Sequence, residues 1–204
     1  RALRTLEGMA TVYQATLVPS KRELLESWLA QQPWSGEGEL VKVGAYRYDD
    51  PDGEVGVEGH LVRREGSEIV LHVPVAYRGA PLEGAEPHLI GTVDHSVLGQ
   101  RWVYDAMADP VATACFQRAL DGHQQQAEVH LYEEDGQYIG HEADEVSVTV
   151  LGPLPEVPGR VQVHRVIADP EAPGHEQLDE ARRLWATWPG GAGVIFSLNT
   201  DAPA

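Results

Sequence analysis

Ser20-Lys21-Arg22-Glu23-Leu24-Leu25-Glu26-Ser27-Trp28-Leu29, followed by three runs of period two, decides the fold class of this chain. Ser20 and Glu23 stand three apart before an apolar run, the spacing of a capping box in which each satisfies the other's exposed amide. Leu24, Leu25, Trp28 and Leu29 fall on one helical face, and Pro33 ends the helix. The first strand after it covers residues 39–48 and closes on Asp50-Pro51-Asp52-Gly53, a turn in which proline fixes φ and glycine supplies φ > 0. The second runs through Val55, Val57 and Leu61 and turns near Glu65-Gly66. The third places Ile69, Leu71, Val73, Val75 and Tyr77 on one face. A helix laid across an antiparallel sheet is the expected α+β arrangement.

Upstream, residues 11–18 read as one strand ended by Pro19, and residues 1–8 as a tag or extension before Met9. Downstream, residues 78–109 lose all period, with Gly79, Pro81, Gly84, Pro87, Gly91 and Gly99 as punctuation. A connection this long is functional or wraps a neighbour. A second helix starts at N-cap Asp109 with Pro110 at N1 and Gly122 after its end. Its stripe is Val111, Ala112, Cys115, Phe116, Ala119 and Leu120. Strands follow at about residues 127–134, 137–151, 160–167, 182–188 and 193–198, the last pair joined by Pro189-Gly190-Gly191. The expected units are residues 9–105 and the β-rich residues 106–204, packed as one body.

Composition limits the partners. Of 204 residues, 32 are acidic and 15 basic, for a net charge of −17, while 42% hydrophobic residues indicate a folded chain. Lys21 and Lys42 are the two lysines, and the thirteen arginines are scattered, so neither nucleic acid nor an anionic membrane is an expected partner. One cysteine, Cys115, makes no internal disulfide and reads as an inert core thiol. No stretch has the roughly 20 apolar residues of a membrane span. A cytoplasmic protein is expected.

Several stretches resemble one family. They are Val43-Gly44-Ala45-Tyr46-Arg47-Tyr48-Asp49-Asp50-Pro51, Gly53-Glu54-Val55-Gly56 and Tyr77-Arg78-Gly79-Ala80-Pro81-Leu82, then Leu89-Ile90-Gly91-Thr92, His95-Ser96-Val97-Leu98-Gly99 and Arg101-Trp102-Val103-Tyr104-Asp105. Together, over roughly residues 9–122, they resemble the N-terminal cap region of actinobacterial maltokinases and its stand-alone relatives, some labelled glucan-branching-related. The resemblance implies a cystatin-like unit with no catalytic residue, which in the kinases precedes an ATP-dependent maltose-phosphorylating region. Phosphoryl transfer needs a catalytic-loop Asp with a metal-binding Asn downstream. Asn199 is the single asparagine, with no such Asp at loop spacing, and no Walker-A run occurs. Kinase activity is not expected, nor is a cofactor.

Candidate ligand residues are Tyr46, Arg47, Tyr77 and Arg78, aromatic–arginine pairs suited to sugar stacking and phosphate recognition but also to sheet-edge packing. His95, Arg101 and Asp105, with Trp102 and Tyr104, form a site if the long loop folds over a pocket; otherwise they pin that loop to the core. The Asp49–Asp52 acids lack calcium-loop spacing and read as a turn. If Asp135-Gly136 is a two-residue hairpin turn, register sets His130 opposite His141 with Glu128 two residues back, a thin metal set that reads more readily as an exposed polar face. Three functions remain open: a non-catalytic binding or regulatory module for a protein or carbohydrate, linked to maltose, trehalose or glycogen metabolism; a small pocket enzyme using His95 or a carboxylate as acid/base; and a homodimer joined through residues 182–188, with Trp185 and Trp188 buried.

Overall fold

The computed structural model describes residues 9–13, 16–133, 137–141, 145–167 and 181–200; the expected extension at residues 1–8 lies outside them. The first elements are β1 (Met9–Tyr13), β2 (Leu17–Val18), α1 (Lys21–Leu29), β3 (Leu40–Asp49), β4 (Gly56–Arg64), β5 (Val70–Arg78), β6 (Leu89–His95) and β7 (Gly99–Asp105). After them come α2 (Pro110–Leu120), β8 (Glu128–Tyr132), β9 (Tyr138–His141), β10 (Ser147–Leu151), β11 (Arg160–Val163), β12 (Val166–Ile167), β13 (Arg183–Trp188) and β14 (Gly191–Asn199). A curled antiparallel main sheet runs β2-β6-β7-β5-β4-β3, with β12 added to β5. A second sheet runs β10-β13-β14-β11, and a small one runs β1-β8-β9, with β1 parallel to β8.

Both helices begin as their caps dictate. The Ser20 hydroxyl accepts from Glu23 N–H while the Glu23 carboxylate accepts from Ser20 N–H at 2.8 Å, a reciprocal pair worth about 1 kcal/mol. Asp109 accepts from Val111 and Ala112 N–H and receives both Arg78 donors at 2.5 and 2.9 Å. Arg78 thereby compensates a carboxylate with no solvent exposure and ties the end of β5 to the start of α2.

Each face of the main sheet is buried by something different. Leu24, Leu25 and Leu29 of α1 pack on Val62, Leu71, Val73, Val75, Val93 and Val103. On the opposite face Tyr46, Tyr48, Val57, Leu61 and Ala76 meet Cys115, Phe116 and Leu120 of α2, and Leu184, Ile195 and Phe196 of the second sheet. Val57 and Leu61 alternate with Glu58, His60 and Val62 along β4 because successive side chains leave opposite faces. β5 is buried on both faces over residues 70–76, so its apolar pattern is nearly continuous rather than alternating.

Pro74 interrupts this central strand without a lost bond. His72 N–H points away from β4 to the Arg165 carbonyl at 2.9 Å, and by parity the Pro74 nitrogen faces the same side. On that side β12 pairs Val70 and Leu71, and β7 pairs residues 75–78, leaving Pro74 in the gap.

Three expectations are corrected. The single strand over residues 11–18 is two strands in different sheets, since β1 pairs β8 and β2 pairs β6. Residues 78–109 are not an aperiodic connection: β6 and β7 form a hairpin within the main sheet, whose alternation is broken by a bulge between Leu89 and Gly91. Finally, β13 lies between β10 and β14, paired on both sides, so residues 182–188 offer no edge for dimer formation.

Candidate functional site

Helix α1 sits toward β6, where Leu24 fills the space left by Gly91; a Cβ there would stand 2.6 Å from Leu24 Cδ1. The β3–β4 end of the same sheet face is left as the floor of a cleft of about 530 Å³, within the roughly 300–1,000 Å³ of small-ligand sites. Ala45, Arg47, Glu58, His60 and Val62 form the floor. Lys21, Arg22 and Leu25 of α1 form one wall, Gln126, Ala127 and Glu145 the other, and Glu39, Lys42 and Glu65 complete the rim.

Glu58 organises the floor. It is 8% exposed, and its carboxylate receives Lys21 Nζ at 2.7 Å, Arg47 at 3.2 Å and stands 3.4 Å from His60 Nε2. Burial alone would raise its pKa. The Lys21 charge, the His60 hydrogen bond and charge, and Arg47 outweigh that and hold it well below the ordinary carboxylate range. Glu58 is therefore a fixed anion. His60 Nε2 also lies 3.4 Å from the Tyr77 hydroxyl, and Lys21 sits 5.5 Å over the Tyr77 ring. Burial first, and then the Glu58 charge, push the Tyr77 phenol well above its usual value, so it stays protonated.

Of the nine ligand candidates, Arg47 and Tyr77 come together around Glu58. Tyr46 borders the cleft, but its ring lies in the α2-side core, where its hydroxyl meets His72 Nε2 at 2.7 Å. Arg78 is committed to Asp109. His95 Nδ1 accepts from Val97 and Leu98 N–H in the β6–β7 turn, and burial, then Arg101 and Lys21, lower its pKa. Arg101 donates to the Leu98 carbonyl at 2.8 Å in the same turn, and Trp102 pairs with Arg78 and Thr92 across the sheet. The Tyr104 hydroxyl accepts from Leu82 N–H, and Asp105 receives Arg165 at 2.5 and 2.6 Å. These contacts make a hairpin and its anchors.

Lys21, Glu58 and His60 escaped the sequence reading. The reading of β4 followed the face of Val57 and Leu61, whereas Glu58 and His60 share the other face with Val62. In the remaining candidates, His130 does face His141 in the register, and Glu128 lies 3.4 Å from His130. The Asp135-Gly136 turn and the His141 side chain fall outside the described residues. Among those described, no group of three His, Cys, Asp or Glu residues is placed to hold a metal. Asp50 accepts from the amides of Asp52, Glu54 and Val55, which is turn chemistry. Burial pushes the Cys115 thiol up to about 11, that of an unreactive core group.

No described helix is long and apolar enough to cross a membrane. No curated protein matches the chain. A family model does match, that of the maltokinase N-terminal cap domain, over residues 28–109, from the last turn of α1 to the N-cap of α2. That stretch, which contributes the floor of the cleft and most of the main sheet, carries a maltokinase N-terminal cap-like domain.

Proposed function

We propose that the chain acts as a non-catalytic, cap-like module in the cytoplasm, binding a carbohydrate or protein ligand in maltose, trehalose or glycogen metabolism. The observation that carries this reading is the cap-domain match over residues 28–109, in a chain that lacks the Asp and Asn of phosphoryl transfer. The finer description of its fold is cystatin-like, with α1 packed on one face of the antiparallel sheet. Calorimetry with maltose and soluble glucans, beside co-elution with purified enzymes of trehalose–glycogen conversion, tests the function. Saturable binding in either assay is expected, and silence in both removes the reading.

A second reading has its own observation. His60, on the cleft floor, lies 3.4 Å from both the Glu58 carboxylate and the Tyr77 hydroxyl, a grouping able to move a proton. On this reading the acid/base group is His60, with the fixed anion Glu58 beside it, rather than His95. Turnover of a glycoside or ester panel that disappears in His60→Gln would favour it; a panel without turnover counts against it.

A further inference from the structure

Charge is distributed unevenly over this molecule. The chain carries −17, yet four cations and four carboxylates line the cleft, and both lysines of the sequence are among them. Most are matched already: Lys21 and Arg47 on Glu58, Lys42 on Glu145 at 2.7 Å, and Arg22 on Glu39 at 3.6 Å. A charged ligand that engaged any of these paired groups would have to compete with the partner it already has. A neutral ligand bearing hydroxyls meets no such cost. It can accept from the hydrogens left on each cation and donate to the lone pairs left on each carboxylate. Leu25, Leu40 and Val62 add an apolar wall on which the C–H face of a ring can rest.

The free edge of β3 also runs along the cleft, but it is poorly suited to adding a peptide strand. A bulge between Lys42 and Gly44 kinks it, Lys42 stands on it, and Ala127 N–H occupies the Arg47 carbonyl at 2.8 Å. These are the devices that protect edges from pairing.

We propose that the cleft between α1 and β3 binds an uncharged polyhydroxy ligand of sugar size, held by the Lys21–Glu58–Arg47 network. The proposal rests on the reading of the chain as a binding module and specifies its surface and ligand chemistry. Its test titrates the full chain with maltose, trehalose and myo-inositol, and with glucose 1-phosphate and glucosamine as charged probes. Calorimetry gives affinity, and amide shifts give the location. At least one uncharged probe should bind, moving amides of residues 41–47 and 58–62, with glucose 1-phosphate and glucosamine weaker by tenfold or more. Ala45→Phe, which fills the floor, should weaken binding at least tenfold, and Glu58→Gln about tenfold; if either variant fails to fold, the wild-type shift map decides. Absence of binding by all three uncharged probes, tighter binding of a charged probe, or shifts confined elsewhere overturns the proposal. If a purified enzyme co-elutes while no sugar binds, the binding-module reading stands and the cleft proposal falls; if neither occurs, both fall.

Discussion

Two histidine–tyrosine pairs sit on opposite faces of the same sheet, and what covers each face gives them different chemistry. His72 and Tyr46 face α2 and the second sheet. There the imidazole has no solvent exposure, stands edge-to-face 5.0 Å from Phe196, and has no carboxylate partner among the described residues. Its Nδ1 meets the His164 carbonyl at 3.1 Å, which can only accept, so Nδ1 carries the proton and Nε2 accepts from Tyr46. Burial, with Arg165 next, holds its pKa down to about 3, so it is neutral. His60, on the cleft floor, and Tyr77 beside it instead stand with a fixed anion and two cations. One pair joins two layers; the other belongs to an open network with hydrogen-bonding capacity to spare.

The largest effect should come from the dry face. Phe196→Ala removes the ring stacked 4.2 Å from Phe116 and is expected to cost about 3–5 kcal/mol in urea unfolding, while ligand binding at the cleft persists under folding conditions. Acid comes next. The folded value of His72, about 3, lies below the usual 6.5, so between these values the unfolded chain binds the extra proton and stability falls as the pH drops. Glu58, also lowered, adds a loss of the same sign below its usual 4.5. Urea midpoints across this range should fall in the wild type and less steeply in His72→Gln. Equal slopes would mean that His72 is not the group concerned.

Smaller substitutions sharpen the contrast. Tyr46→Phe leaves a buried acceptor on His72 without its donor, at about 1–3 kcal/mol. Tyr77→Phe should cost under about 1 kcal/mol, because His60 keeps Glu58 as a partner. Equal costs would erase the distinction between the two faces. Smallest of all, Lys42→Ala breaks a rim pair whose lysine side chain is 62% exposed, and thermal unfolding should register less than about 1 kcal/mol.

Local chemistry was legible wherever one residue type settles a conformation. Ser20 with Glu23, Asp109 with Pro110, and Pro189-Gly190-Gly191 each marked an end or a turn that the structure contains. The β6–β7 hairpin was not legible, because the bulge at Leu89–Gly91 shifts the alternation and its turn is held by a His95 side chain rather than a recognised turn pair. The cleft floor was hidden for a different reason. Alternation assigned Val57 and Leu61 to a core and left Glu58 and His60 to solvent, since a sheet buried on both faces has no solvent side that a single strand can reveal.

The gap beside Pro74 bears on the order of assembly. Arg165 fills it, sixty residues after its partner Asp105, and the neighbouring His164 carbonyl receives His72 across ninety-two. Loop closure over such spans is slow and cannot occur until the late strands exist. A nascent chain that has emerged only to residue 109 would hold every strand of the cap-like stretch, yet Val57, Leu61 and Ala76 would lack their cover. In the folded chain that cover comes from α2 and β14, so one face of the cap-like stretch is completed only by residues that follow it in sequence.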